Sequence, residues 1–157
     1  MSERSPWPEV RLAARAVLLA PTGRILLLRH RGPRAPFWAT PGGGLEAAES
    51  FEQAVQRELR EETGLELPVG PWIWEDRFDL QGTARIQLER FFLVRAPAEE
   101  LPRGVEHHHA VEGITAARWW SVEELAAAQE EIYPRRLAEL LTRLAAEGPP
   151  AQPVALQ

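Results

Sequence analysis

Six acidic side chains, Glu46, Glu49, Glu52, Glu58, Glu61 and Glu62, fall in one short stretch of the chain against two arginines, Arg57 and Arg60. Just ahead of them lies Pro41-Gly42-Gly43-Gly44. Carboxylates are hard oxygen donors, suited to a divalent cation such as Mg²⁺ or Mn²⁺. Consecutive glycines let a backbone approach a ligand closely and adopt conformations closed to other residues. Acids beside a glycine run therefore suggest cation-assisted chemistry on a phosphate.

A helix must carry those acids. Ser50 and Gln53 have the reciprocal spacing of a capping box, and Gly64 supplies a C-terminal stop. Between them Phe51, Val55 and Leu59 recur every fourth residue and make one apolar stripe. On a helical wheel Glu58 and Glu62 each fall within about 20° of Phe51, inside that stripe, whereas Glu61 lies farther round. A carboxylate facing a core has to be protonated, paired or bound to a cation. Arg57 sits one turn from Glu61 and can serve it, which leaves Glu58 and Glu62 in need of cations. A Glu-rich helix is more often simply solvated, but the glycines and the acids Glu46 and Glu49 leading into it weigh against that.

The stretch Gly43–Leu65 resembles the Nudix box, G-x5-E-x7-R-E-U-x-E-E-x-G-U with U a bulky aliphatic. Gly43, Glu49, Arg57, Glu58, Leu59, Glu61, Glu62, Gly64 and Leu65 fill its specified positions without departure. The resemblance implies a mixed sheet between helices, an α/β/α sandwich of the α/β class. It implies hydrolysis of a nucleoside diphosphate linked to another group, with Mg²⁺ or Mn²⁺ as cofactor. By position in the box, Glu58 and Glu62 would be the principal metal ligands and the main-chain carbonyl of Gly42 would complete the inner shell. Glu61 would be an accessory ligand, Arg57 its orienting partner, and Glu49 an outer or second-metal group. Gly43 and Gly44 would lie against the substrate phosphates.

Around this stretch the chain reads as one domain over residues 10–147, with a loose arm before it (1–9) and a mobile tail after it (148–157). Val10–Ala20 and Ile25–Arg29 are expected strands around a Pro21-Thr22-Gly23-Arg24 turn. A basic loop, His30–Pro36, and a short strand, Phe37–Thr40, lead to the glycines. Trp72–Leu80 and Arg85–Arg95 pattern as a hairpin around Gln81-Gly82-Thr83. Ala96–Ala110 reads as an irregular loop, Ala117–Trp120 as a last strand, and Val122–Gln129 and Pro134–Ala146 as two helices. Ser121 with Glu124 caps the first of these, and Leu137, Leu140, Leu141 and Leu144 stripe the second.

Net charge of −5 disfavours a generic nucleic-acid or anionic-membrane binder. All 18 basic side chains are arginine and there is no cysteine, so disulfides and thiol chemistry are excluded. No apolar run approaches the length of a membrane span; the cytoplasm is the expected compartment, and a monomer or homodimer the expected state.

Outside the box the candidates are more open. Arg11 and Arg15, four apart on a strand, share a face and would either contact phosphate or base or simply be solvated. Trp38, with Trp72, Trp74, Trp119 and Trp120, could stack a base, although strand tryptophans more often fill cores. The box acids are committed to metal, so a general base should come from elsewhere. Glu112, in Val111-Glu112-Gly113 just before a Trp-containing strand, resembles the loop that supplies a catalytic glutamate in MutT-like members. Glu106 and the run His107-His108-His109 are its rivals, since histidine titrates near neutrality. The array SQPWPFPxS of NADH hydrolases is missing, as is the downstream proline of many ADP-ribose hydrolases. A (d)NTP-type nucleotide is the expected substrate. ADP-ribose or another nucleotide sugar is the alternative, and a non-catalytic nucleotide-sensing module the reading from a different class.

Overall fold

The computed structural model describes residues 8–80 and 83–156. In chain order its elements are β1 (Glu9–Leu19), β2 (Ile25–His30), β3 (Phe37–Ala39), β4 (Gly42–Gly44), α1 (Phe51–Thr63), β5 (Trp72–Leu80), β6 (Arg85–Arg95), α2 (Glu106–Glu112), β7 (Ile114–Trp120), α3 (Val122–Ala126), β8 (Glu131–Tyr133), α4 (Leu137–Glu147) and β9 (Val154–Ala155).

The strands form one mixed sheet in the order β8-β3-β2-β1-β6-β5-β9, with β4 attached to β1 and β7 to β2. At its centre β1 runs parallel to β6 over the whole of both strands, from Glu9↔Arg85 to Leu19↔Arg95. Residues alternate across the strand with period two, and β1 uses both faces. Ala14, Ala16 and Leu18 face α1 through Val55 and Leu59, and Phe92 and Val94 of β6 join them. Val17 faces the other way, with Phe91 and Leu93, toward α3 and α4 through Leu125, Leu137, Leu141 and Leu144. Two apolar layers thus separate the sheet from helices on either side, the expected α/β/α sandwich.

Helix α1 forms as its sequence dictates. Ser50 and Gln53 bond each other reciprocally, and Gly64 ends the helix in the left-handed region at φ 78°. The glycines form strand β4, paired with β1 at Ala13↔Gly44, Ala14↔Gly43 and Arg15↔Gly42. Three expectations need correction. The supposed irregular loop before β7 contains α2, because its residues find partners on α1 that no local pattern announces. Residues 148–157 are not wholly without structure, since Val154–Ala155 pairs with the free edge of β5. Glu9, assigned to the arm, already opens β1, while Met1–Trp7 lie outside the described residues. So do Gln81 and Gly82 of the expected hairpin turn, whose strands β5 and β6 pair antiparallel from Trp72↔Phe92 to Leu80↔Arg85.

Candidate active site

Strand β4 lies between β1 and α1, and its glycines are there because side chains would not fit. At Gly42, φ is 151°, and an added Cβ would come within 2.2 Å of the Ala14 carbonyl oxygen. At Gly43 an added Cβ would meet Glu58 Oε1 at 2.6 Å. The bare backbone lets the acids of α1 lie directly against the strand. Gly42 N donates to Glu62 Oε1 at 2.7 Å, which links the glycines to the helix.

Glu62 is buried, 3% exposed, inside the apolar stripe where its spacing put it. Burial and the neighbouring Glu58 both push its carboxyl well above the ordinary carboxylate range; Arg15 and the Gly42 amide only partly oppose them. A buried carboxylate held this way is poised for a cation.

Arg57 holds the rest of the acids. Its Nε donates to Glu49 Oε2 at 2.8 Å and one terminal nitrogen to Glu49 Oε1 at 3.0 Å and to the Gly44 carbonyl at 2.9 Å. The other terminal nitrogen reaches Glu58 at 2.9 Å and Glu61 at 3.2 Å. Hydrogen bonds to Glu49, then to Glu58, raise the Arg57 pKa further, and the same bonds hold the Glu49 carboxyl below its usual range. Arg57 therefore serves Glu49 first and Glu61 last, a different order from the one helix spacing suggested.

A cleft of about 550 Å³ opens over this cluster, lined by Arg11, Arg15, Gly42–Gly44, Arg57, Glu58, Glu61, Glu62, His108 and Glu112 among others. Arg11 is exposed and donates to Gln87 at 3.2 Å. Arg15 is half-buried and paired with Glu89 at 3.0 Å, and it also donates to the carbonyls of Thr40 at 3.3 Å and Gly42 at 3.2 Å. Burial opposes its charge, but Glu89, joined by Glu62 and Glu58, outweighs burial and raises the Arg15 pKa. Glu49 stands behind Arg57, away from the cleft lining.

Helix α2 brings His108 and Glu112 to the cleft mouth, while Glu106 and His107 are exposed and do not line it. Trp38 needs correction. It is 7% exposed, its ring meets Trp120 edge-on at 5.1 Å, and its Nε1 donates to Glu130 at 3.1 Å. It fills the core rather than the cleft, as do Trp74, Trp119 and Trp120.

Two residues went unread in the sequence, one lining the cleft and one in the cavity that adjoins it. His30 ends β2, stacks on Phe37 at 5.0 Å and lines the cleft. Burial first, then the nearby charges of Arg15 and His109, lower its pKa to about 4. Glu89 is buried at 6%, and the signal for it was a lone acid at a core-adjacent position of the apolar strand β6.

Among the described residues no three His, Cys, Asp or Glu side chains already converge as a metal cage. The donor set nevertheless fits a hard divalent ion. It offers carboxylates of Glu58, Glu61 and Glu62 beside a main-chain carbonyl, and a bound cation would offset the burial and the Glu58 charge that raise the Glu62 carboxyl.

A mixed sheet between helices, with a glycine strand and an acid-bearing helix around one cleft, defines an α/β protein with an acidic, glycine-walled site. The chain belongs to the NUDIX domain family, whose model matches residues 9–141. It is 39% identical over 105 residues to an octanoyltransferase of Myxococcus xanthus, a match covering 64% of this chain and 29% of that protein. It is 35% identical over 78 residues to the nucleoside triphosphatase NudI of Enterobacter sp. (strain 638), covering 46% of this chain and 55% of the relative. The chain thus spans at most about half the length of these curated relatives. A MutT NUDIX hydrolase from Burkholderia pseudomallei superposes with a TM-score of 0.68 at 28% identity, covering 87% of this chain and 98% of that one. No helix among the described residues is long and apolar enough to cross a membrane.

Proposed function

We propose that this chain hydrolyses the diphosphate linkage of a nucleoside diphosphate derivative, a (d)NTP-type nucleotide first, using Mg²⁺ or Mn²⁺. The observation that carries the reading is the buried Glu62 carboxylate beside Glu58, at a cleft that Arg11 and Arg15 also line. Glu58 and Glu62 would hold the cation, Glu61 and the Gly42 carbonyl would support it, and Glu49 would act through Arg57. Such a cation, when bound, neutralises phosphate charge and lowers the pKa of a coordinated water.

The chain's own residues supply the remainder. Arg11 and Arg15 orient the phosphates against the bare backbone of Gly43 and Gly44, positioning that dominates phosphoryl-group chemistry. Glu112, at the open end of the cleft, takes the proton of the attacking water. A second cavity of about 720 Å³ adjoins the cleft at Arg15, Phe37 and Ala39. Phe37, Phe78 and Tyr133 line it, and their rings offer apolar faces to the nucleoside. The NudI match supports a triphosphate substrate.

A screen of nucleotides with Mg²⁺ and Mn²⁺, reading phosphate and pyrophosphate, tests the substrate class. Glu58→Gln should cut kcat by about 10² or more with the fold intact. Near wild-type turnover in that variant at saturating metal would remove Glu58 from the site.

A further inference from the structure

Helix α2 is anchored at its C-cap, where the Gly113 carbonyl accepts from Arg31 N at 2.9 Å, and has little of its own to hold the rest of it in place. It is seven residues long, buries none of them and has no side-chain bond at its N-cap. A helix so short has little intrinsic stability. Left-handed glycines stand on both sides of it, Gly104 at φ 71° and Gly113 at φ 73°. Yet α2 carries two cleft residues, His108 and Glu112, which are four apart and share a face.

What ties it to α1 is the intervening residue. His109 Nε2 lies 2.6 Å from the main-chain oxygen of Glu62. That oxygen belongs to the last turn of α1, where carbonyls lack intrahelical partners; the capping amide of Gly64 goes to Arg60 instead. A carbonyl can only accept, so Nε2 is the donor. Glu62 is thereby held at both ends, its carboxylate by Gly42 N and its carbonyl by His109. Among the described residues the main-chain bond from this segment to α1 is longer, Arg103 N to Thr63 O at 3.4 Å.

We propose that His109 is a positioning residue that docks α2 on the acidic helix through the backbone of Glu62, and so sets where Glu112 stands relative to Glu58 and Glu62. The catalytic part of this rests on the hydrolase reading above; the docking part does not.

The test compares His109→Ala and His109→Gln, alone and with Glu112→Gln. Amide hydrogen exchange on the metal-free proteins is read beside kcat and KM for a nucleoside triphosphate. His109→Ala should speed exchange of α2 amides about tenfold or more while leaving the interior amides of α1 protected. It should lower kcat about tenfold with KM changed less than about twofold. Gln can donate to the same carbonyl, so His109→Gln should recover most of both effects. In a Glu112→Gln background the loss from His109→Ala should shrink to less than about twofold, because the two residues act through one another. Unchanged α2 exchange in His109→Ala overturns the proposal, and so does a kcat loss of equal size in both backgrounds. Faster α2 exchange in a protein whose wild type hydrolyses no nucleotide retires the hydrolase reading and leaves the docking role supported.

Discussion

Arg57 grips Glu49, eight residues back along the chain, through two hydrogen bonds of 2.8 and 3.0 Å to its two carboxylate oxygens. The fork geometry matters as much as the charge, because the same guanidinium must also reach Gly44, Glu58 and Glu61. Lysine keeps the charge and loses the fork. Arg57→Lys should therefore cost about 1–3 kcal/mol of stability and lower kcat at least about tenfold. Urea denaturation and steady-state kinetics measure the two effects; full activity in Arg57→Lys would show that charge alone suffices.

Glu62 makes a prediction with a definite sign. Its folded-state pKa is raised above the ordinary 4.5 by burial and by Glu58. The folded chain therefore binds its proton more readily than the unfolded chain does, and stability is lost as pH rises through the raised value. Metal-free Glu62→Gln should melt higher than wild type at pH 8, and the gap should close toward pH 4.5. Millimolar Mg²⁺ or Mn²⁺ should raise the wild-type Tm and move the variant little. Thermal melts across pH, with and without metal, decide it.

His30 runs the other way. Its folded-state pKa is depressed from 6.5 to about 4, so the unfolded chain takes up the proton first. Stability present above pH 6.5 is lost as pH falls through the folded value. His30→Asn should flatten the fall in urea midpoint between pH 7 and pH 4.5 relative to wild type. An unchanged slope would mean that His30 is not held neutral by its surroundings.

Ala48 lies just ahead of Glu49 in the left-handed region, at φ 62°, and is exposed. A Cβ there costs about 1–2 kcal/mol, and the greater freedom of glycine in the unfolded chain returns part of any gain. Ala48→Gly should stabilise the protein by a net of about 0.5 kcal/mol, with Glu49 still bound to Arg57. Chemical denaturation at constant m-value is the check; a destabilised Ala48→Gly would mean that the turn does not need a positive φ.

Helix α1 was legible residue by residue in the sequence, because everything that makes it is local. Ser50, Gln53 and Gly64 act within a turn of themselves, and the wheel that put Glu62 inside the stripe with Val55 and Leu59 depends only on helical pitch. The long strands around it were readable from the turn residues between them and from their apolar, aromatic and β-branched content. Tertiary structure decided what local rules do not see. Gly42–Gly44 become a strand only because β1, already paired with β6, offers them its other edge. Glu106–Glu112 become a helix beside α1, with a bond from His109 to a carbonyl 47 residues away. Trp38 could not be assigned to core or cleft until β2, β3 and β7 came together and set it against Trp120. The part-buried pair Arg15–Glu89 joins residues 74 apart in the chain. Partners so distant in the chain leave no periodic trace, since it is the fold, not the spacing, that brings their atoms within reach.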